Sequence, residues 1–178
     1  MVNLILFTIV ILLLIALSMI WPPDSPWAPW WRTSGRIARA MCKLARVGKK
    51  DVVYDLGSGD GTALIVAADE YGARGVGVEI DPLRAYVSMT RTKLERVAGK
   101  VTIHQKNFFD VSIRDATVVF VYLVPKALHR LKPKFASELR PGTRIVSFRY
   151  QIPYLPLTEK DELHQIYLYT IPKSFVTS

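Results

Sequence analysis

The run Asp55-Leu56-Gly57-Ser58-Gly59-Asp60-Gly61 sets three glycines at alternate positions behind an acidic residue. Glycine admits left-handed dihedrals and, having no Cβ, lets the main chain approach a ligand closely. The spacing is G-x-G-x-G; the dinucleotide fingerprint G-x-G-x-x-G would need glycine where Thr62 stands. Glu79 follows 22 residues after Gly57 and closes the apolar run 75–79, where its carboxylate can accept from both hydroxyls of a ribose. A glycine turn alone is often only a tight turn. Joined to an acidic residue one strand later, it points to nucleoside binding. Other chemistries find no footing. His104, His129 and His164 have neither metal-ligand spacing nor a serine–acid partner and read as surface or strand histidines. Cys42 stands alone, which excludes a disulfide framework and a cysteine zinc site, and it reads as an inert helix residue.

The elements around these residues alternate. After Ser34, a cap, Ile37, Met41 and Leu44 recur at helical spacing up to Gly48. A short buried strand over 51–56 leads into the glycine turn, and 62–71 is a helix closed by Gly72. Strands follow at 75–80, 100–105, 116–123 and 143–149. Asp81-Pro82 opens a helix to about Val97, and 125–139 reads as one further helix. Residues 163–170 make the best remaining strand, paired as a hairpin with residues near 155–158. The pattern predicts an α/β fold: a Rossmann-like sheet, mostly parallel, with a C-terminal antiparallel strand and helices on both faces. Open parallel sheets bind ligands at the carboxyl ends of their strands, beside the switch in strand order.

Residues 1–23 carry no charged side chain, so the whole formal charge of +9 lies in the remainder of the 178-residue chain. Val2–Trp21 is interrupted only by Asn3, Thr8 and Ser18. As a helix it would be roughly 30 Å long, the thickness of a bilayer's hydrocarbon core. Trp21, Trp27, Trp30 and Trp31 suit the headgroup level, and Pro22-Pro23 ends the helix. A cleaved signal peptide is the alternative, but the segment lacks a basic start and is too long for one. The chain therefore divides into a transmembrane anchor (1–23), a basic Trp/Pro-rich juxtamembrane segment and helix (24–50), and a ligand-binding domain (51–178). Residues 24–50 hold seven basic side chains against one acidic. The positive-inside rule then places the domain on the cytoplasmic, or matrix, side of a single-pass protein. The basic segment can also lie against anionic headgroups. The charge clusters beside the anchor rather than in a nucleic-acid module, so no nucleic-acid partner is expected.

Taken together, DLGSGDG (55–61), GVEID (77–81), Asn107-Phe108-Phe109-Asp110 and VVFVYLVP (118–125) resemble the class I S-adenosylmethionine-dependent methyltransferases over roughly residues 26–172. The resemblance implies S-adenosylmethionine as cofactor, S-adenosylhomocysteine as product, and no metal. It implies that Asp55 and the backbone of Gly57, Ser58, Gly59 and Gly61 hold the methionine part. It further implies Glu79 on the ribose, Asn107, Phe108 or Asp110 near the adenine, and residues 122–125 facing the acceptor. Pro26-Trp27-Ala28-Pro29 and Phe148–Pro153 extend the likeness to small membrane-anchored protein-lysine methyltransferases of the mitochondrial type, which modify the adenine nucleotide translocase and the ATP synthase c-subunit. Trp30-Trp31-Arg32 and Thr62 depart from that family's pattern.

Methyl transfer from a sulfonium is an in-line displacement, and alignment in a water-poor pocket can supply up to about 7–11 kcal/mol. A lysine amine, with a reference pKa of about 10.4, costs about 4.6 kcal/mol to deprotonate at pH 7. Desolvation beside a positive sulfonium lowers that cost, and an aromatic wall suits the lysine stem. Tyr122, Tyr150 and Tyr154 are the candidates for that wall, or for a hydrogen bond to the amine. The expected acceptor is a lysine of a membrane protein in the same bilayer. A lipid headgroup or lipophilic small molecule is the alternative, and a non-catalytic nucleoside-binding scaffold the third reading.

Overall fold

The computed structural model describes residues 2–20 and 32–175. In chain order the elements are α1 (Val2–Ile20), α2 (Gly35–Leu44), β1 (Val52–Leu56), α3 (Thr62–Asp69), β2 (Arg74–Glu79), α4 (Pro82–Leu94), β3 (Val101–Gln105), a single 3-10 turn (Phe108–Asp110), β4 (Val118–Val121), α5 (Pro125–Arg130), α6 (Lys132–Glu138), β5 (Arg144–Phe148), β6 (Leu157–Asp161) and β7 (Ile166–Thr170).

The strands form one sheet of order β3-β2-β1-β4-β5-β7-β6. β1 pairs in parallel with both β2 and β4, so strand order reverses there, and the carboxyl ends of β1 and β4 frame a crevice. β7 runs antiparallel to β5, and β6 antiparallel to β7. The anticipated hairpin is present with its turn at 162–165 rather than inside a longer last strand. Alternate side chains serve opposite faces. Val53, Val118 and Phe120 pack with Met41, Cys42 and Leu64 beneath α2 and α3. Leu56, Val119 and Val121 pack with Leu128, Leu131 and Phe135 beneath α5 and α6. Cys42 is fully buried and its thiol is pushed up to about 12, chiefly by burial, which leaves it unreactive.

The helix expected over 125–139 is two helices. Pro133 has no N–H to continue α5, and its ring would crowd the carbonyl of His129 four residues back. The chain restarts as α6 with that proline in its first turn, where the missing donor costs nothing. The caps read from the sequence are in place: Ser34 accepts from the amide of Ile37 and Asp81 from that of Arg84.

Asp51, just before β1, fastens α2 to the sheet. Its carboxylate pairs with the Arg144 guanidinium and accepts from the Thr117 hydroxyl (2.7 Å) and the Gly48 amide (2.8 Å). Arg144 also donates to the carbonyls of Ala45 and Arg46 at the end of α2. Removing one member of a largely buried pair strands the other, so Arg144→Met is expected to cost about 2–3 kcal/mol, read as a lowered urea midpoint.

In α1 every described side chain, Leu4 to Ala16, is exposed. The Thr8 hydroxyl donates to the carbonyl of Leu4, so it is satisfied within the helix. Among the described residues no helix is long and apolar enough to cross a membrane. The described side chains of α1 cover only about 20 Å. The four tryptophans and Pro22-Pro23 lie outside the described residues.

Candidate active site

Gly57, Gly59 and Gly61 adopt φ of 88°, 54° and 78°, the left-handed region that glycine enters without strain. The carbonyl of Val78 accepts from the amides of Gly57 (2.8 Å) and Ser58 (3.1 Å), which lashes the turn to the end of β2. A Cβ on Gly61 would lie 2.3 Å from the Ser88 hydroxyl of α4, so the turn sits where only glycine fits. Ser58 is buried against Gly77 and Leu64 of the neighbouring strand and helix. The hydroxyls of Ser58 and Ser88 find no hydrogen-bond partner among the described residues.

Glu79 is 5% exposed, and backbone amides hold its carboxylate from two sides: Gly59 to Oε2 at 2.8 Å and Asp81 to Oε1 at 2.9 Å. A carboxylate offers about four lone-pair sites, so two amides orient it and leave capacity for two hydroxyl donors. Asp55, near the end of β1, is pushed up to about 7, first by burial and then by the negative charges of Glu79 and Asp60. A carboxylate held in that state stands to gain from a positive ligand group, such as the ammonium of a methionine part.

Asp60 is the residue to which the sequence alone assigned no role. Its Oδ1 accepts from the Thr62 amide (3.2 Å) and hydroxyl (2.7 Å), satisfying the first amide of α3 from just ahead of its N-cap, Gly61. Its Oδ2 pairs with Arg91 of α4 at 2.8 Å and with Arg32 at 2.6 Å. The Asp-x-Thr spacing could have revealed the bonds to Thr62. Nothing in the sequence could have joined Asp60 to arginines 28 residues before and 31 residues after.

At the end of β3, the Asn107 side chain accepts from the Phe109 amide at 3.1 Å and caps the 3-10 turn. Phe108 is half-buried, 4.7 Å from the Phe109 ring, and packs toward the second face; Asp110 is exposed. The Lys106 amide donates to the Glu79 carbonyl at 3.0 Å, so this segment lies beside Glu79.

The tyrosines divide between the two faces. Tyr122, just past β4, packs toward the first, its ring 4.5 Å from Phe148. Burial raises its hydroxyl's pKa, opposed by a hydrogen bond and the charge of Arg149. Tyr150 and Tyr154 pack toward the second face. Tyr154 donates its hydroxyl to the carbonyl of Leu128 at 2.6 Å, and burial lifts its pKa well above the usual phenol range. Arg149, between Phe148 and Tyr150, has φ of 67°, the left-handed region that a non-glycine residue enters at a cost of about 1–2 kcal/mol. Its amide donates to Gln165 of the β6–β7 turn. Thus Tyr122, Arg149 and Tyr150 meet at the carboxyl ends of β4 and β5, while the Tyr154 hydroxyl is engaged by α5. His164 pairs with Asp161 at 2.7 Å, and His129 lies edge-on to Tyr154. Among the described residues no group of histidine, cysteine and acidic side chains could hold a metal ion.

A sheet of this strand order, with a three-glycine turn after β1 and a buried carboxylate ending β2, defines an S-adenosylmethionine-dependent methyltransferase, and these residues fit that cofactor. Residues 55–159 match the family model described as the ANTKMT methyltransferase domain, and the chain belongs to that family. It is 37% identical over 153 residues to a protein-lysine N-methyltransferase of Saccharolobus islandicus, covering 82% of this chain and 95% of that one. It is 33% identical to the adenine nucleotide translocase lysine N-methyltransferase of Mus musculus, covering 70% of this chain and 54% of that one. The chain thus spans about half the length of that mammalian relative. The solved structure of an RNA methyltransferase from Salinibacter ruber, bound to S-adenosylhomocysteine, aligns with a TM-score of 0.79 and 38% identity, over 81% of this chain and 95% of that one.

Proposed function

We propose that this protein transfers methyl groups from S-adenosylmethionine to a lysine side chain of a membrane-associated protein. The observation that carries the reading is the Glu79 carboxylate, fastened by the amides of Gly59 and Asp81 beside a left-handed glycine turn. S-adenosylmethionine, when bound, supplies an electrophilic methyl on a sulfonium. Asp55 and the Gly57–Gly61 backbone would hold the methionine part, Glu79 the ribose hydroxyls, and Asn107, Phe108 or Asp110 would lie near the adenine. Tyr122 and Tyr150 flank the approach of the amine at the ends of β4 and β5. Their half-buried rings exclude water, which disfavours the ammonium form and lowers the cost of presenting a neutral nucleophile. Tyr154 shapes this wall through its ring, because its hydroxyl is bound to Leu128. Lysine as the acceptor follows the activity of the Saccharolobus and mouse relatives, both protein-lysine methyltransferases by name.

The membrane enters through α1. A helix that exposes thirteen consecutive residues, Leu4 to Ala16, with Thr8 their sole side-chain hydrogen-bonding group, presents far more contiguous apolar surface than water tolerates. We assign it, with the segment beyond it, as a single-pass anchor that leaves the domain on the cytoplasmic or matrix side, following the excess of basic residues after it. Arg32 pairs with the cofactor turn, and Ile20 ends α1 twelve residues earlier. Twelve extended residues span at most about 43 Å, so the catalytic mouth stays near the bilayer and favours an acceptor confined to it.

Membranes incubated with methyl-labelled S-adenosylmethionine, then separated into protein, lipid and RNA, test the acceptor. Label in protein, recovered as methyl-lysine, is the expected result. Label confined to lipid replaces the acceptor with a headgroup. Label in RNA replaces the lysine with the acceptor named for the Salinibacter structure.

A further inference from the structure

Asp60 divides its two oxygens. Oδ1 accepts from Thr62, while Oδ2 takes two arginines from different parts of the chain. Arg91 is committed to the domain, since it also donates to the Asp60 carbonyl (2.9 Å) and the Thr62 hydroxyl (2.8 Å). Arg32 comes from outside the sheet and its covering helices. It is the first described residue of the stretch that joins α1 to α2, and its side chain is 59% exposed against 12% for Asp60. Arg91, the Glu79 carboxylate and the Val78 carbonyl already hold the turn from within the domain. The second cation on the same oxygen instead ties the turn to the chain arriving from α1.

We infer that Arg32 is a positioning residue of the cofactor turn: acting through Asp60, it couples the stretch between α1 and α2 to cofactor occupancy. The inference rests on the placement of the cofactor at this turn proposed above and does not require the anchor. Three glycines in left-handed conformations leave the turn set by its tethers rather than by side-chain sterics. A cofactor that selects one conformation of 57–61 also selects one position of Asp60, and Arg32 follows. Coupling is reciprocal, so the grip of Arg32 strengthens cofactor binding by the factor by which the cofactor strengthens the grip. For an ion pair with one exposed member that factor is at most about five-fold.

The chain carries its own probe. All four tryptophans, Trp21, Trp27, Trp30 and Trp31, precede Arg32 within eleven residues, so tryptophan emission reports on that stretch alone. The full-length protein in detergent is titrated with S-adenosylhomocysteine by calorimetry and by emission, as wild type, Arg32→Gln, Arg32→Lys and, as a surface control, Arg36→Gln. Saturating the wild type should shift the emission. Arg32→Gln should bind about two- to five-fold more weakly, lose the emission shift at saturation, and raise KM for S-adenosylmethionine by the same factor with kcat unchanged. Arg32→Lys, which keeps the charge, should restore most of both, and Arg36→Gln should match wild type. The inference is overturned if Arg32→Gln keeps full affinity and a full shift, or if wild type binds with no shift. If wild type does not bind at all, the placement of the cofactor fails first and takes this inference with it.

Discussion

Asp55→Asn should make the free protein more stable at pH 8 and a far poorer cofactor binder. The Asp55 pKa is lifted from 3.8 to about 7, chiefly by burial. Between those two values the folded state keeps a proton that the unfolded state has lost. Stability therefore falls as pH rises across that window, and above it the ionised group carries the whole penalty. Three units correspond to about 4 kcal/mol. Asparagine carries no charge and should recover part of it, about 1–3 kcal/mol, because its amide still needs partners. The melting temperature at pH 8 should rise, while at pH 4 the two proteins should melt nearly alike. Removing the charge that faces a cationic ligand should weaken S-adenosylmethionine binding by about 2–3 kcal/mol, roughly 30- to 150-fold. Wild-type affinity should also rise with pH through about 7, while that of the variant stays flat. A variant less stable than wild type at pH 8, with unchanged affinity, would remove Asp55 from the site.

Glu79→Ala should move both quantities down together. The Gly59 and Asp81 amides each donate to this carboxylate, and hydrogen bonds to a charged group contribute about 1.5–3 kcal/mol apiece. Alanine leaves both donors without an acceptor and frees the glycine turn from β2. A loss of about 3 kcal/mol in urea unfolding is expected, with S-adenosylhomocysteine binding below detection by calorimetry. Glu79→Gln keeps one oxygen but turns an NH2 toward the other amide, so it should fall between the two. Asp55 and Glu79 are both acidic, both buried and both at strand ends, yet their substitutions should change stability in opposite directions. The difference lies in what surrounds each carboxylate: two amide donors at Glu79, burial and two like charges at Asp55. If Glu79→Ala bound cofactor as wild type does, the carboxylate would serve only to lock the turn.

The alternation of strands and helices, the caps at Ser34 and Asp81, the glycine turn and the acidic residue at the end of β2 were legible in the order of residues alone. These are local matters: hydrophobic period, capping chemistry and the dihedrals that only glycine reaches are written within a few residues of where they act. The division of the expected 125–139 helix into α5 and α6 is also local, since Pro133 carries the signal for it. Which distant groups meet was settled by folding. Arg32 and Arg91 converge on Asp60 from opposite sides in sequence, and Glu79, at the end of the neighbouring strand, adds its charge to the burial that raises the Asp55 pKa. Tyr122 and Tyr154, read together as one wall, rest on opposite faces of the sheet, the hydroxyl of Tyr154 taken by a helix carbonyl. Such contacts depend on crossovers that bring strand ends together from far apart along the chain, and charge and burial act through space, so no spacing in the sequence records them.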